Sequence, residues 1–288
     1  MTEYAIVGTP VAALYADAES FALADEALCG FVCRVTERGS VRSKIRTHYG
    51  YEGYAENDAL VFASEESVRS WLDSGLKTVD YPFLDVLAAP DIRAERMTCL
   101  PRGAVVSAVA GEVREGWRRI RLSDHREGFV PDACLAEKRF ADRWEGFSFP
   151  TFLKRWYDGS EDTFRRKLIT VSMRFLGTQY RWGGRSVSGL DCSGLASLTY
   201  MLAGVNIFRD AKPAPGYPIR PLSMGERLRT GDLLYFPGHV AMYIGDGRYI
   251  HATAREGANG VVINSLDPGD ESFRSDLYDS LYAIGGLR

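Results

Sequence analysis

The sequence has no apolar run long enough to cross a membrane and no strong charge of either sign. A transmembrane helix needs about 20 apolar residues in a row, and no stretch of this 288-residue chain approaches that length. The net charge is −3 at pH 7, which gives no electrostatic support for binding nucleic acid or an anionic membrane. The N-terminus, MTEYAI, lacks the basic segment and apolar core of a signal peptide. We expect a cytoplasmic globular protein of two or three domains.

Cysteine is scarce, and its spacing argues against a disulfide framework. The chain has five cysteines: Cys29, Cys33, Cys99, Cys134 and Cys192. Their number is odd and their spacing is wide, which predicts reduced thiols and fits a cytoplasmic protein. Cys29 and Cys33 lie four residues apart, but no second pair and no histidine lies near them. We therefore interpret them as small buried side chains rather than zinc ligands, and we predict no metal and no other cofactor.

A repeat at an interval of 75 residues predicts two copies of one small β-domain. The recurring segments are IR at 45–46 and 120–121, and EGYA at 52–55 with EGFV at 127–130. Short alternating segments separated by polar turns predict a small β-barrel in each copy, with boundaries at 1–75 and 76–140. A helix at 64–72, with Ser64 as its N-cap, is predicted between them. His48 and His125 lie near corresponding turns and are predicted to be solvated loop residues.

The last part of the chain has a different pattern, in which helices precede strands. A helix is predicted from Ser160, as its N-cap, to about Phe175, and Gly177 is expected to end it. A second helix follows Cys192 and ends at Gly204, and the residues after 232 have the pattern of strands. This order predicts an α+β domain with an antiparallel sheet at 150–288.

Cys192 is the strongest candidate for a nucleophile. It follows a glycine-rich approach, YRWGGRSVSGLD, and precedes the apolar pattern of a helix. The dipole of a helix favours the thiolate at its N-terminus, so we expect a lowered pKa for this thiol. Its neighbours Asp191 and Ser193 are polar, whereas an inert buried cysteine more often has apolar neighbours. We therefore predict a nucleophilic role for Cys192.

Histidine is also scarce, with four in the chain, and two of them flank one predicted hairpin. A two-residue turn at Asp246 and Gly247 would place His239 and His251 on opposite faces of that hairpin. A three-residue loop, 245–247, with a glycine bulge would place both imidazoles on one face. A Cys–His–His triad requires the second geometry, and the sequence Gly-Asp-Gly is suited to it. The order cysteine, histidine, histidine is the one expected of a papain-like cysteine peptidase with a rearranged core.

These motifs resemble those of the NlpC-type cell-wall cysteine peptidases over roughly residues 160–288. The matching residues are Tyr180, Trp182, Gly183, Gly184, Asp191, Cys192, Ser193, Gly194, Gly231, Asp232, Leu233, the segment HVAMYIG from His239, and the segment YIHA from Tyr249. The two repeats resemble bacterial SH3-like domains. The resemblance implies two small all-β SH3-like barrels followed by an α+β papain-like (NlpC-type) cysteine peptidase domain. That order is similar to the γ-D-glutamyl-L-diamino acid endopeptidases (dipeptidyl-peptidase VI type) of murein peptide recycling.

The resemblance implies a role for each residue of the triad. Cys192 would attack the γ-D-glutamyl carbonyl, His239 would take its proton and later protonate the leaving amine, and His251 would orient His239. Backbone N–H groups at the helix start would line the oxyanion hole. The implied partner is a murein tri- or tetrapeptide with a free N-terminal L-Ala, with no nucleic acid and no membrane involved.

Four further residues are implied to bind the substrate. Asp191 resembles an acid that pairs with the substrate ammonium group, and Ser193 resembles a neighbouring hydrogen-bond donor. Tyr180 lies beside the site, and Tyr51 matches a tyrosine of the first SH3-like domain that reaches it. A carboxylate–ammonium pair would exclude intact peptidoglycan, in which the L-Ala is acylated.

The sequence departs from the family at two places and leaves other functions open. Phe31 stands where family members often carry an acid, and no glutamine follows the pair Arg209-Asp210 at the usual distance. One alternative is a hydrolase of intact peptidoglycan that uses the SH3-like domains as wall anchors. A binding protein without activity and an acyltransferase with the same triad are the others. The diamino acid, meso-diaminopimelate or L-lysine, and the oligomeric state are left open, and we assume a monomer.

Overall fold

A computed structural model of the protein describes residues 3–111 and 113–288. The chain divides into two compact units, Met1–Lys138 and Arg139–Arg288, and each is described by itself. Within the described ranges, no helix is long and apolar enough to cross a membrane.

The first unit contains two seven-stranded antiparallel sheets. The strands of the first are β1 (Glu3–Val7), β2 (Val11–Tyr15), β3 (Leu23–Leu28), β4 (Val32–Glu37), β5 (Arg42–Thr47), β6 (Glu52–Glu56) and β7 (Leu60–Ala63). The strands of the second are β8 (Leu76–Val79), β9 (Phe83–Leu87), β10 (Arg96–Pro101), β11 (Val105–Ala108), β12 (Trp117–Arg121), β13 (Glu127–Pro131) and β14 (Leu135–Glu137). One turn of 3₁₀-helix precedes the last strand of each sheet, at Asn57–Ala59 and Asp132–Cys134.

The two sheets have the same topology, which confirms the internal repeat. The strand order is β3-β2-β6-β5-β4-β1-β7 in the first and β10-β9-β13-β12-β11-β8-β14 in the second. Each strand of the second copy thus occupies the place of the strand seven earlier. The repeated Glu-Gly segments open β6 and β13, and the repeated glycines allow close passage of the neighbouring strand, because a Cβ on Gly128 would lie 2.9 Å from the Leu87 oxygen.

The two copies are in contact at Gly30, and a short helix lies between them in the sequence. Helix α1 (Glu65–Leu72) begins after Ser64, whose side chain accepts from the Ser67 N–H as an N-cap. Its Trp71 indole donates to the Gly30 oxygen at 3.1 Å. Gly30 has φ +80°, and a Cβ there would lie 2.1 Å from the Val105 oxygen, so only glycine fits this contact between the copies.

Two cysteines and one histidine of the first unit, Cys29, Cys33 and His48, are buried. Cys29 and Cys33 are buried, as predicted, and Cys29 lies in the apolar core of the second copy. His125 is exposed at a turn, as predicted. The prediction for His48 is wrong, because its ring is buried and packs edge-on against Phe31 at 4.6 Å between centroids.

The second unit combines helices with a six-stranded antiparallel sheet, which confirms the predicted α+β class. Its elements are α2 (Phe149–Trp156), α3 (Glu161–Met173), β15 (Arg185–Ser186), β16 (Gly189–Leu190), α4 (Cys192–Leu202), β17 (Arg220–Leu222), β18 (Leu233–Phe236), β19 (His239–Gly245), β20 (Arg248–Thr253), β21 (Gly260–Ser265), α5 (Ser275–Ser280) and β22 (Ala283–Gly286). The sheet order is β17-β22-β18-β19-β20-β21, and β15 pairs with β16 in a separate ribbon.

The buried helix α4 places Cys192, its first residue, against the sheet. Helix α4 packs against α3, β19 and β20. Helix α3 begins after Ser160, which accepts from the Thr163 N–H at 3.2 Å, and ends at Met173, before Gly177 with φ +78°. Leucine, alanine and methionine side chains fill α4, so its N-terminus is fixed beside the strands.

Candidate active site

Cys192 is the first residue of α4, and the first turn of this helix packs closely against the backbone of the preceding loop. The preceding residue, Asp191, caps the helix by accepting from the Gly194 N–H at 2.6 Å. Gly194 in turn lies against the loop before β15, since a Cβ there would be 2.1 Å from the Gly184 oxygen. Two turns of chain can approach this closely only because glycine stands at the contact. This contact therefore restricts the backbone on which Cys192 stands.

The Cys192 thiol is neutral at rest. Burial, followed by the charge of Asp191, raises the pKa of this thiol to about 11. The backbone N–H of Val240, the Arg209 charge and the backbone N–H of Ser193 act in the opposite direction. The expected lowering of this pKa by the helix N-terminus is therefore wrong for the resting site, because desolvation outweighs it. A base is needed to remove the proton.

The two histidines predicted to serve as the base and its partner meet on one face of a hairpin. His239 opens β19, and His251 lies in the neighbouring strand β20. His239 Nε2 and His251 Nδ1 are 2.7 Å apart, and the ring planes are 81° apart. The Val240 N–H that acts on the Cys192 sulfur follows His239 directly. The structure thus brings the three predicted residues of the triad to one place.

The turn that produces this arrangement differs from the predicted loop. Asp246 and Gly247 both have positive φ, at 49° and 70°, and Gly245 pairs with Arg248, so the turn has two residues. A bulge between Tyr243 and Gly245 then shifts the register by one. The predicted face is correct, but the extra residue lies in the strand rather than in the loop.

Burial keeps both imidazoles neutral at ordinary pH. Desolvation, then the charge of His251 and that of Arg274, lowers the pKa of His239 to about 3. Desolvation also lowers the pKa of His251 to about 4, although its hydrogen bond to Asn264 acts in the opposite direction. A neutral imidazole has a free lone pair, so His239 can accept the proton that Cys192 must lose.

The carboxylate of Asp191, directly before Cys192, is the centre of a hydrogen-bonded cluster with Arg209 and Ser193. Arg209 Nη1 and Nη2 donate to Asp191 Oδ1 and Oδ2 at 2.9 and 3.0 Å. Arg209 Nη1 also donates to Ser193 Oγ at 2.7 Å, and the Gly183 N–H donates to Asp191 Oδ2 at 2.9 Å. Both residues of the ion pair are buried. The sequence identified Asp191 and Ser193 as site residues, but it did not assign a role to Arg209.

The two tyrosines predicted at the site lie in different units. Tyr180 is half-buried next to the cluster, and burial, then the charges of Cys192 and Asp191, raises its pKa to about 12. It therefore remains a hydrogen-bond donor at neutral pH. Tyr51 belongs to the first unit, where its hydroxyl donates to the Ala24 oxygen at 3.4 Å. The binding roles of Tyr180, Tyr51, Asp191 and Ser193 stay predictions.

Sequence reasoning also missed Asn264. Its Oδ1 lies 2.8 Å from His251 Nε2. The only sign in the sequence is a polar residue directly after the apolar run VVI, which does not identify its partner. Among the described residues, no group of three or more histidine, cysteine or acidic side chains is placed to hold a metal ion.

Comparisons with known proteins give a family match within the second unit and relatives over the whole chain. Residues 177–271 match the NlpC/P60 family. The chain is 34% identical to dipeptidyl-peptidase 6 of Lysinibacillus sphaericus over 98% of its own length and 99% of that protein. It is 35% identical to gamma-D-glutamyl-L-lysine dipeptidyl-peptidase of Bacillus cereus over 37% of each chain. A crystal structure of an NlpC/P60 family protein from Bacillus cereus has the same fold over 99% of both chains, with a TM-score of 0.73 and 19% identity.

Proposed function

Because the chain belongs to the NlpC/P60 family of cysteine peptidases, we propose that it hydrolyses the γ-D-glutamyl–diamino acid bond of murein peptides with a free N-terminal L-Ala. The observation that carries this proposal is the extent of the similarity to a dipeptidyl-peptidase, which includes both β-sheet domains. A dipeptidyl-peptidase releases two residues from a free N-terminus. In a murein peptide those two residues are L-Ala and D-Glu.

The proposed reaction begins with proton transfer from the thiol to His239. His239 Nε2 is bonded to His251, so Nδ1 is the nitrogen that accepts the proton while the Cys192 sulfur attacks the γ-carbonyl carbon. The C–N bond then breaks, and His239 gives the proton to the leaving amine of the diamino acid. Water, deprotonated by His239, attacks the thioester and the C–S bond breaks. L-Ala-D-Glu leaves with a free γ-carboxyl group, and His239 returns the proton to the Cys192 sulfur.

Charge that develops on the carbonyl oxygen requires donors near Cys192. The first N–H groups of α4 have no acceptor within the helix, and we propose that the Cys192 N–H is among those that bind the oxyanion. Because burial raises the pKa of the thiol and lowers the pKa of both imidazoles, we propose that proton transfer accompanies the attack.

For the substrate ammonium group we propose Asp191, with Ser193 and Tyr180 as neighbours in the second unit, and the role that the resemblance implies for Tyr51 stays a prediction. The Asp191 carboxylate is held in one orientation by Arg209 and two backbone N–H groups, which supports a role in fixed recognition of a donor. Arg209 offsets its charge, so the ammonium would bind as an additional donor to an oriented acceptor.

We also propose that the reaction takes place in the cytoplasm, on peptides released from the wall. All five cysteines are free thiols, which suits a reducing compartment. Cell fractionation with an antibody to the native protein tests this, and recovery from the culture medium would contradict it.

The function is tested with L-Ala-γ-D-Glu-meso-diaminopimelate, the same peptide with L-lysine, and N-acetylated forms of both. Cys192→Ala provides the blank. We expect cleavage of the peptides with a free amine and loss of cleavage on acetylation. Equal cleavage of free and acetylated peptides would contradict the proposal and favour a hydrolase of intact peptidoglycan. Cleavage of neither would favour an acyltransferase or a binding protein.

A further inference from the structure

A chain of side-chain hydrogen bonds continues past His251 to a residue outside the triad. Asn264 lies on β21, next to β20, in the strand that pairs His251 with Val262. Its Oδ1 and the His251 Nε2 are 2.8 Å apart. Its Nδ2 donates to the backbone oxygen of Ser272 at 2.6 Å. Both ends of the amide therefore have partners within the second unit.

The Ser272 carbonyl decides which way the amide faces. A carbonyl oxygen only accepts, so the group that faces it must be the NH₂ of Asn264. The amide oxygen is then the group that faces His251. Because this oxygen also only accepts, His251 must carry its proton on Nε2.

The proton position on His251 decides the one on His239. With the proton of neutral His251 on Nε2, its Nδ1 has the lone pair. His239 Nε2, at 2.7 Å from that lone pair, must then be the donor and carry the proton. This leaves His239 Nδ1 unprotonated, which is the state that a general base for the Cys192 thiol requires.

The position of Ser272 is itself fixed by the loop between β21 and α5. Its N–H and Oγ–H both bond Asp270 Oδ1, at 2.8 and 2.7 Å. The other oxygen of Asp270 is bonded by Arg248 at 3.2 Å. Asn264 is half-buried between this loop and the histidine pair. The acceptor that orients the amide is thus supported from the opposite side.

We propose that Asn264 is a positioning residue that fixes the proton positions of His251 and, through it, of His239. The Ser272 carbonyl oxygen fixes the orientation of the Asn264 amide. The amide oxygen then requires the proton of His251 to lie on Nε2. This assignment depends on cysteine peptidase chemistry and not on the identity of the peptide substrate. Two experiments without substrate test this assignment, so its failure can be told apart from failure of the proposed function.

The first test reads the tautomers directly in the unmodified protein. Long-range ¹H–¹⁵N correlation spectra of ¹⁵N-histidine-labelled protein at pH 7 separate protonated from unprotonated ring nitrogens. We expect the proton on Nε2 for both His239 and His251, assigned by the spectra of His239→Gln and His251→Gln. A proton on Nδ1 of His251 would overturn the proposal without any change at Asn264.

The second test uses two variants that should act in opposite directions. The readout is the rate of Cys192 alkylation by iodoacetamide against pH, followed by mass mapping of the Cys192 peptide. Asn264→Leu removes the acceptor, and we expect the rate at pH 7 to fall on the order of 10-fold or more, with the profile moved to higher pH. Asn264→Asp supplies a charged acceptor, favours the imidazolium, and should move the profile to lower pH.

Opposite shifts separate positioning from a merely structural role. The other charged groups acting on the pair, Asp191, Arg274 and Asp276, are unchanged in both variants. Ile263→Val, on the opposite face of β21, provides the matched control and should leave the profile unchanged. Shifts of both Asn264 variants in the same direction, or an equal effect of Ile263→Val, would overturn the proposal.

Discussion

Arg209 and Asp191 form a buried, bidentate ion pair directly before the nucleophile, with both N–O distances at 2.9–3.0 Å. The pair has two consequences that can be measured separately. It fixes the helix cap on which Cys192 stands, and it places a positive charge that lowers the pKa of the Cys192 thiol against the effect of burial.

Loss of the guanidinium should therefore reduce both stability and reactivity. Arg209→Met leaves the Asp191 charge buried without its partner, and the free energy of unfolding should fall by about 3–5 kcal/mol, as for other broken buried pairs. Arg209→Lys keeps the charge but loses the planar fork, so its effect should be smaller. Urea unfolding at pH 7 measures the stability of both variants, and the rate of Cys192 alkylation by iodoacetamide measures their reactivity. Equal stability of wild type and Arg209→Met would show that the pair does not hold the site.

The contact between Gly194 and Gly184 predicts that one methyl group disrupts the site. In Gly194→Ala the Cβ would lie 2.1 Å from a backbone oxygen, so the loop must move, at a cost of about 1–3 kcal/mol. Gly225→Ala is the matched control, because its Cβ would meet no atom within 4 Å. Unfolding curves and peptide cleavage should change only for Gly194→Ala. A full-activity Gly194→Ala enzyme would contradict the close packing.

The bulge at Ile244 predicts that the hairpin tolerates loss of this one residue. Deleting Ile244 joins Tyr243 to Gly245, so Tyr243 still pairs with Tyr249 and His239 stays on the face of His251. We expect the deletion variant to retain cleavage. Asp246→Asn should also retain activity, because asparagine accepts positive φ. Loss of cleavage in the deletion variant, with the strand signal of its circular dichroism spectrum unchanged, would contradict the assigned register.

The two buried histidines predict a dependence of stability on acid. Burial holds their pKa values below the ordinary value of about 6.5, at about 3 for His239 and about 4 for His251. Between pH 6.5 and 4 the unfolded chain binds protons that the folded protein does not. Stability should therefore fall as the pH falls, by up to about 1.4 kcal/mol per pH unit for each histidine. In His251→Gln, urea unfolding at pH 7 and pH 5 should differ less than in wild type. An unchanged difference would contradict this assignment.

Features that depend on local pattern could be predicted from the sequence. Ser64 and Ser160 were identified as N-caps, and the repeat predicted two β-domains whose strand orders prove identical. Cys192, His239 and His251 could be selected as the candidate triad because cysteine and histidine are scarce and because helix and hairpin patterns surround these three residues. The prediction that both histidines lie on one face of the hairpin is correct, because side chains alternate along a strand.

Features that depend on burial or on distant partners could not be predicted. The pKa of Cys192 was predicted in the wrong direction, because the desolvation of a site appears only when the chain is folded. His48 lies near a turn in sequence but is buried by Phe31. Asn264 and Arg209 come from other segments, and no local pattern shows that they bond His251 and Asp191.

The most direct measurement tests in one experiment whether Cys192 is the nucleophile and whether it attacks at the γ-carbonyl position. An L-Ala-γ-D-Glu analogue with a chloromethyl ketone in place of the γ-amide presents the carbonyl to the thiol, which displaces chloride and forms a thioether. We predict one dipeptidyl adduct per chain, mapped by mass spectrometry to Cys192, much slower labelling in His239→Ala, and none with the N-acetylated analogue. Labelling of another cysteine in place of Cys192, or equal labelling by the acetylated analogue, would contradict the account.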